Sequence, residues 1–292
     1  MRPYLFRIGS FELRIYSLMY ILALFTAIFL AKRDDVAIKR GIDDPKLVED
    51  FAFTALFSGL IGARIYYVLL RFEYYRNNLL DIPAVWKGGL AIHGGIIGGL
   101  IGIMIFSKIK KKSFFALTDM SVSPLILGQA LGRIGNFANG EIHGVPTFTP
   151  LKVIFTGTFT KWWQMYNSLP LKEQMKFKPV VPWGVVFPEN TSAGMEFPTC
   201  PLHPAMLYEL ILNLIAFFLL WFYFRKKGYK KGILSFIYLI MYAVIRIFVS
   251  TFRAEDLMLC GIKMPYIISI IMIIVGIIGI IGISVINRKK SK

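Results

Sequence analysis

Seven long apolar runs, separated by polar connections, constrain this chain more than any other feature of its sequence. They lie at about residues 14–31, 51–70, 88–106, 114–137, 204–224, 232–252 and 265–287. Each approaches the roughly 20 residues needed to cross the hydrocarbon of a bilayer. A membrane barrel would show short segments of alternating polarity instead of continuous runs. The sequence therefore predicts an all-α polytopic membrane protein with about seven transmembrane helices. Composition agrees, because 17% charged residues is low for a soluble domain of 292 residues. The fourth run is the least apolar, with Asp119, Ser121, Ser123, Pro124 and Gln129, yet it is too long and apolar for an exposed loop. The N-terminal stretch MRPYLFRIGSFELRIYS lacks the layout of a cleaved signal peptide, so the first run is expected to remain as a span.

Lysine and arginine orient the spans. Lys32, Arg33, Lys39, Arg40 and Lys46 lie between runs one and two, and Lys108, Lys110, Lys111 and Lys112 between three and four. Arg225, Lys226, Lys227, Lys230 and Lys231 lie between five and six, and Arg288, Lys289, Lys290 and Lys292 form the tail. These alternate connections are expected to face the cytoplasm. The N-terminus is then outside and the C-terminus cytoplasmic, as an odd number of spans requires. The net charge of +17 thus reads as membrane topology and not as a nucleic-acid surface. The chain is expected to form a single transmembrane domain, residues 1–292, with an extracytoplasmic head segment inserted at 138–203. That segment carries KWWQMYNSLP and VVPWGVVFPEN, aromatic stretches suited to an ordered head at the membrane interface.

The polar residues inside the runs share a depth. On outward-running spans, Arg64 lies seven residues before Arg71, Arg133 sits just before its outer end, and Arg246 lies seven residues before Arg253. On inward-running spans, His93 comes early, and Glu209 follows His203 by six residues. Tyr16 stands near the outer start of the first span. At 1.5 Å per residue, all fall within roughly 10 Å of the outer boundary. The inner halves offer little to match apart from Asp119. A charge facing lipid at that depth costs a few kcal/mol, so repetition on one side points to a shared polar cavity open toward the outer leaflet. Individually these residues have blander readings. Arg71 and Arg253 suit snorkelling to the interface, Arg64 and Arg246 suit structural pairing with Glu209, and a single His93 suits a satisfied core histidine.

The stretch GGLAIHGGIIGGLIG supplies the pairs Gly94/Gly98, Gly95/Gly99 and Gly98/Gly102, which let helix backbones approach closely. In ALGRIGNFANGEIHG, Arg133 and Asn136 are three apart and share a helical face. Asn139, Glu141 and His143 follow where that helix leaves the membrane, and Gly132, Gly135 and Gly140 are expected to keep its backbone accessible. Arginines converging at headgroup depth suit a phosphate, which guanidinium recognises bidentately. Residue chemistry alone thus gives a phospholipid-handling site on the outer face, with the reaction open. Cys200 and Cys260 show no metal-ligand spacing, and the sequence offers no basis for or against their pairing.

The motifs carry a resemblance. GRIGNFANGEIHG resembles the signature of the bacterial prolipoprotein diacylglyceryl transferases. LRIYSLMY, GARIYYVLL, GGLAIHGGIIGG and HPAMLYE match that family in the same order, so the likeness runs from about residue 8 to about 256. It implies transfer of the diacylglyceryl group from phosphatidylglycerol to the lipobox cysteine thiol of a prolipoprotein signal peptide. Glycerol phosphate is released, with no metal and no cofactor. It implies catalytic roles for His93, Arg133, Arg246 and Tyr16. Asn136, Glu141 and Gly144 also fall on family motifs, and with Arg64, Asn139 and Glu209 they form the expected substrate-binding set. Arg133 and Arg246 are expected to hold the phosphate, and His93, or a group it polarises, to take the thiol proton. The expected location is the bacterial cytoplasmic (inner) membrane, multi-pass, with the active site facing the outer leaflet. Expected partners are phosphatidylglycerol, prolipoprotein signal peptides and membrane lipids, with no nucleic acid.

One departure stands out. Where the family's sixth span reads Arg, three residues, Glu, then Arg, this chain reads RIFVSTFRAED, with Ser250 at the glutamate position. Glu209 and Glu255 are the candidates to supply the missing carboxylate. The competing classes are a transporter or flippase for an anionic lipid, another headgroup enzyme such as a phosphatidyl transferase, and an intramembrane protease. The absence of a repeat and the odd span number count against the first. The second lacks paired intramembrane aspartates, and the third lacks a Ser/His or Asp/Asp pair at common depth.

Overall fold

The computed structural model describes residues 4–8, 11–254, 256–259 and 261–290. Seven helices are long and apolar enough to cross a membrane. They are α1 (Ile15–Lys32), α2 (Pro45–Leu70), α3 (Ile92–Ile109), α4 (Phe114–Asn139), α5 (Ala205–Phe218, continuing helically to Lys227), α6 (Ile233–Phe252) and α7 (Met264–Lys290). Two antiparallel hairpins accompany them, β1 (Tyr4–Ile8) with β2 (Phe11–Arg14), and β3 (Met258–Leu259) with β4 (Ile262–Lys263). The seven-helix expectation holds, and the small hairpins are additions to it. α2 begins six residues before the expected boundary because Asp44 caps it, accepting a hydrogen bond from Lys46 N at 2.9 Å, and Pro45 occupies the first turn.

The chain divides into two compact units, Ile28–Ser121 and the combination of Met1–Ala27 with Val122–Lys292. In the first unit, α2 and α3 pack backbone to backbone. A Cβ placed on Gly62 would lie 2.4 Å from Gly94 O, and one on Gly98 would lie 2.5 Å from Ser58 O. Gly94, Gly98 and Gly102 of the pairs read from the sequence are therefore required at this crossing, whereas a Cβ on Gly95 or Gly99 would make only ordinary contacts at 3.6 and 3.9 Å. At the other end of the pair, Ala37, Leu47, Val48, Phe51, Phe106 and Leu117 form a buried apolar cluster. Asp119, the exception among the inner halves, is paired there with Arg40 at 2.6 Å. Lys32 pairs with Glu49, and Lys110 with Asp50.

The second unit holds α5, α6, α7, most of α4 and the head. The segment between α4 and α5, expected as a head, carries short helices and an aromatic cluster. Short helices Leu151–Thr156, Phe159–Ser168, Leu171–Gln174 and Ser192–Glu196 surround a cluster in which Trp163 stacks on Tyr166 and meets Phe197 edge-on. Leu202 bridges to both Pro146 and Val185. Phe187, Ala193, Phe197, Leu202 and Met206 form the buried core beneath.

Candidate active site

The polar cluster grows from the end of α4. Arg133 and Asn136 lie on one helical face, and Arg133 Nη1 donates to Asn136 Oδ1 at 3.1 Å. The helix ends at Asn139, and Gly140 and Ile142 take positive φ angles of 64° and 60° to reverse the chain. That reversal brings Glu141 back over the helix end. Its carboxylate accepts from Asn139 Nδ2 at 3.1 Å and, more weakly, from Asn136 Nδ2 at 3.4 Å. Tyr16 lies against Gly135, where an added Cβ would come within 2.5 Å of the ring, and its hydroxyl accepts from Tyr20 at 2.9 Å. Gly135 thus makes room for an aromatic side chain and does not leave its backbone accessible. Gly140 likewise lies against Thr191.

α5 brings in Glu209, whose side chain is fully buried. One carboxylate oxygen accepts from Arg133 Nη2 at 2.5 Å, and the other lies 3.5 Å from Arg246 Nη1 on α6. A buried carboxylate is unstable without such partners. Glu209 thus holds two guanidinium groups from different helices on either side of itself. The pairing of Arg246 with Glu209 read from the sequence is realised, and Arg133 joins it.

Two turns beyond Arg246, at the end of α6, Arg253 carries a third guanidinium. Asp256, which sequence reasoning missed, lies between them. Its Oδ1 is 3.3 Å from Arg253 Nη1 and 3.6 Å from Arg246 Nη2, and its side chain is only 3% exposed. Lys263, on β4, reaches over the same carboxylate at 3.8 Å. The spacing of Arg253 and Asp256, three apart, was a readable signal. Lys263 had none, because the β3–β4 hairpin alone returns it to the end of α6. Ser250 is fully buried, and its hydroxyl has no hydrogen-bond partner among the described residues. Of the two carboxylates expected to supply Arg246, Glu209 does so. Glu255 lies outside the described residues, as does Cys260.

Four cations thus surround two buried carboxylates, Glu209 and Asp256. Burial, then repulsion from Arg246, holds the Arg253 guanidinium below its ordinary range. Burial does the same to the Lys263 ammonium. Arg133 Nε and Arg253 Nε are buried and donate to nothing among the described residues. A partly desolvated cluster with excess positive charge and unused donors is chemically suited to an anion with several oxygens. Among the described residues, no group of three His, Cys, Asp or Glu side chains forms a metal site. Cys200 lies in the head, with its thiol pushed up by burial.

Gly144 is fixed by backbone contacts. Its N–H donates to His203 O at 2.8 Å, and a Cβ there would meet both His203 O and Phe252 O within 2.7 Å. His203 in turn shares a 2.9 Å hydrogen bond between Nδ1 and the Tyr208 hydroxyl, which accepts from Trp183 Nε1. This chain of contacts fixes the first turn of α5, where Glu209 follows Tyr208.

Arg64 and His93 belong to the other unit. All five guanidinium donors of Arg64 are engaged by backbone carbonyls. Nε donates to Ile82, Nη1 to Gly88 and Gly89, and Nη2 to Asp81 and Ala84, over 2.5–3.3 Å. The residue ties down the loop between α2 and α3. A cavity of about 310 Å³ beside it is lined by Arg71, Lys87, Asp81 and three tyrosines. Within that cavity Lys87 is already paired with Asp81 at 2.6 Å. His93 stands exposed on the first turn of α3, its ring 6.3 Å from that of Tyr66.

Residues 3–282 match the family model described as prolipoprotein diacylglyceryl transferase. A phosphatidylglycerol–prolipoprotein diacylglyceryl transferase of Fusobacterium nucleatum is 52% identical over 93% of this chain and 94% of its own length. Proteins of the same name from Thermotoga maritima and Clostridium botulinum are 36% and 34% identical. They cover 92% and 93% of this chain, and 80% and 92% of their own lengths.

Proposed function

The chain belongs to the prolipoprotein diacylglyceryl transferase family, and on that premise we propose how its residues perform the reaction. It is a multi-pass membrane enzyme that moves the diacylglyceryl group of phosphatidylglycerol onto a prolipoprotein. The acceptor is the thiol of the lipobox cysteine in the signal peptide. The thiolate sulfur forms a C–S bond to the glycerol carbon of the lipid. The C–O bond to phosphate breaks, and glycerol phosphate leaves with the electron pair.

The Arg133–Glu209–Arg246 cluster carries this reading. Charge accumulates on the phosphate as its bond to carbon breaks, and guanidinium groups already aimed at that position stabilise the leaving group. Glu209 acts through the arginines, because both of its oxygens face them. Asn136 and Glu141 orient Arg133 or the glycerol headgroup, with Asn139 holding Glu141. Tyr16 borders the same helix end and supplies a hydroxyl. The assignment of His93 to the thiol proton rests on the family resemblance. A thiol of ordinary pKa near 8.5 is a few per cent ionised at neutral pH, so such a group is required. The alternating basic connections support an N-outside orientation in the cytoplasmic membrane, with the cluster facing the outer leaflet.

Incubation of the purified protein with phosphatidylglycerol and a lipobox peptide tests the reading. Glycerol phosphate is expected only when the peptide carries its cysteine. Release that ignores a Cys→Ser peptide, or no release at all, would overturn it. Full activity in His93→Gln would remove that residue from the base role.

A further inference from the structure

The phosphate reading leaves a mechanical question at the end of α6. Arg246 and Arg253 are two helical turns apart on one helix, and both are largely removed from water. Like charges in such surroundings repel strongly, and long side chains free to turn would separate. Glu209 restrains Arg246 from one side, but its other oxygen is already held by Arg133. Asp256 is placed to restrain both from the other side. Its Oδ1 lies between the two guanidinium tips at 3.3 and 3.6 Å. These distances mark ion pairing without tight, saturating hydrogen bonds. Oδ2 has no hydrogen-bond partner among the described residues, and only Lys263 stands within ion-pairing distance of it. Lys263 anchors the segment by donating to Ser250 O at 2.6 Å and Arg253 O at 3.0 Å, carbonyls at the end of α6.

We propose that Asp256 is a positioning residue for the transferase reaction: its carboxylate draws Arg246 and Arg253 onto a common target while leaving their donors available to the phosphate. The inference rests on the phosphate-binding reading above. It separates two effects that a carboxylate beside an anion site combines. Removing its charge strengthens the bare attraction for an anion, whereas losing the aim of the guanidiniums weakens stabilisation of the leaving group. Asp256→Asn is therefore expected to lower kcat by about tenfold or more, with KM for phosphatidylglycerol unchanged or lowered.

Rescue distinguishes this role from simple support of the fold. Position 250 lies one turn beyond Arg246 on the same face of α6, and its present serine hydroxyl is buried and unpaired. Ser250→Glu in the Asp256→Asn background returns a carboxylate to the guanidiniums from within α6 itself. The double variant is expected to recover most of the lost kcat, and Ser250→Asp provides a shorter side chain for the same test. Wild-type kcat in Asp256→Asn overturns the inference. So does a kcat that neither replacement at 250 improves, in variants that keep the wild-type thermal midpoint. If the replacements at 250 fail to fold, kcat of Asp256→Asn against its KM decides alone. Absence of glycerol phosphate release from the wild type would instead refute the reaction itself.

Discussion

Arg64 and Arg133 make the same impression in the sequence. Each is an arginine in the later half of an apolar run, with a glycine within two positions and aromatic or amide residues after it. The fold gives them different tasks. Arg64 is buried with every donor engaged by carbonyls of the loop it organises. Arg133 has one donor on an amide, one on a carboxylate shared with Arg246, and a buried Nε that is unused among the described residues. A guanidinium whose donors are all taken by backbone is a structural fastener, whatever its depth. A guanidinium held from one side by a carboxylate keeps a face for another anion. Partner chemistry separates the two roles, and depth alone does not.

The contrast breaks most easily at the largest expected effect. Arg133→Lys and Arg246→Lys keep the charge but lose the planar fork, and each is expected to lower kcat by about 100- to 1,000-fold with little change in thermal midpoint. Steady-state release of glycerol phosphate measures this, and a change of less than about threefold would remove the residue from leaving-group stabilisation. Arg64→Lys should behave in the opposite sense. It strands buried carbonyls, each costing about 1–3 kcal/mol. A clear drop in thermal midpoint in detergent is expected, with a smaller loss of kcat in the folded fraction. A large loss of kcat at an unchanged midpoint would place Arg64 with the phosphate ligands and erase the distinction.

The smallest effect lies in pH dependence. Burial holds His203 down at about 4, against an ordinary value of 6.5. The unfolded chain therefore binds this proton more readily than the folded one. The stability contributed by neutral His203 is complete above about pH 6.5 and is lost as pH falls toward 4. The thermal midpoint should fall across that window by more in wild type than in His203→Gln. Parallel curves would show that the His203–Tyr208–Trp183 contact does not depend on a neutral imidazole.

Much of the architecture was legible because the solvent imposes it. A span in hydrocarbon must satisfy its backbone internally and present apolar side chains, so length and hydropathy locate the helices. The main boundary error, at the start of α2, came from overlooking the Asp44 cap and Pro45. The glycine crossing of α2 and α3 was readable for a related reason, since only small residues permit it. Of the polar residues singled out in the apolar runs, Arg133, Glu209 and Arg246 do come together. Their full pairing was not legible, because pairing joins residues far apart in the chain. Glu209 meets Arg133 across 76 positions, and Lys263 arrives through a two-residue hairpin that no periodicity marks.

The sequence by itself determined seven helices, their connections and the polar residues placed near one end of them, because these follow from local composition against a uniform apolar solvent. Tertiary structure alone decided that Arg64 spends its donors on loop carbonyls while Arg133 keeps a buried Nε unused among the described residues. It also decided that Asp256 lies between Arg246 and Arg253 at the end of α6. The electrostatic role of a buried charge is set by whatever lies within about 4 Å of it, and that neighbourhood exists only once the helices have packed.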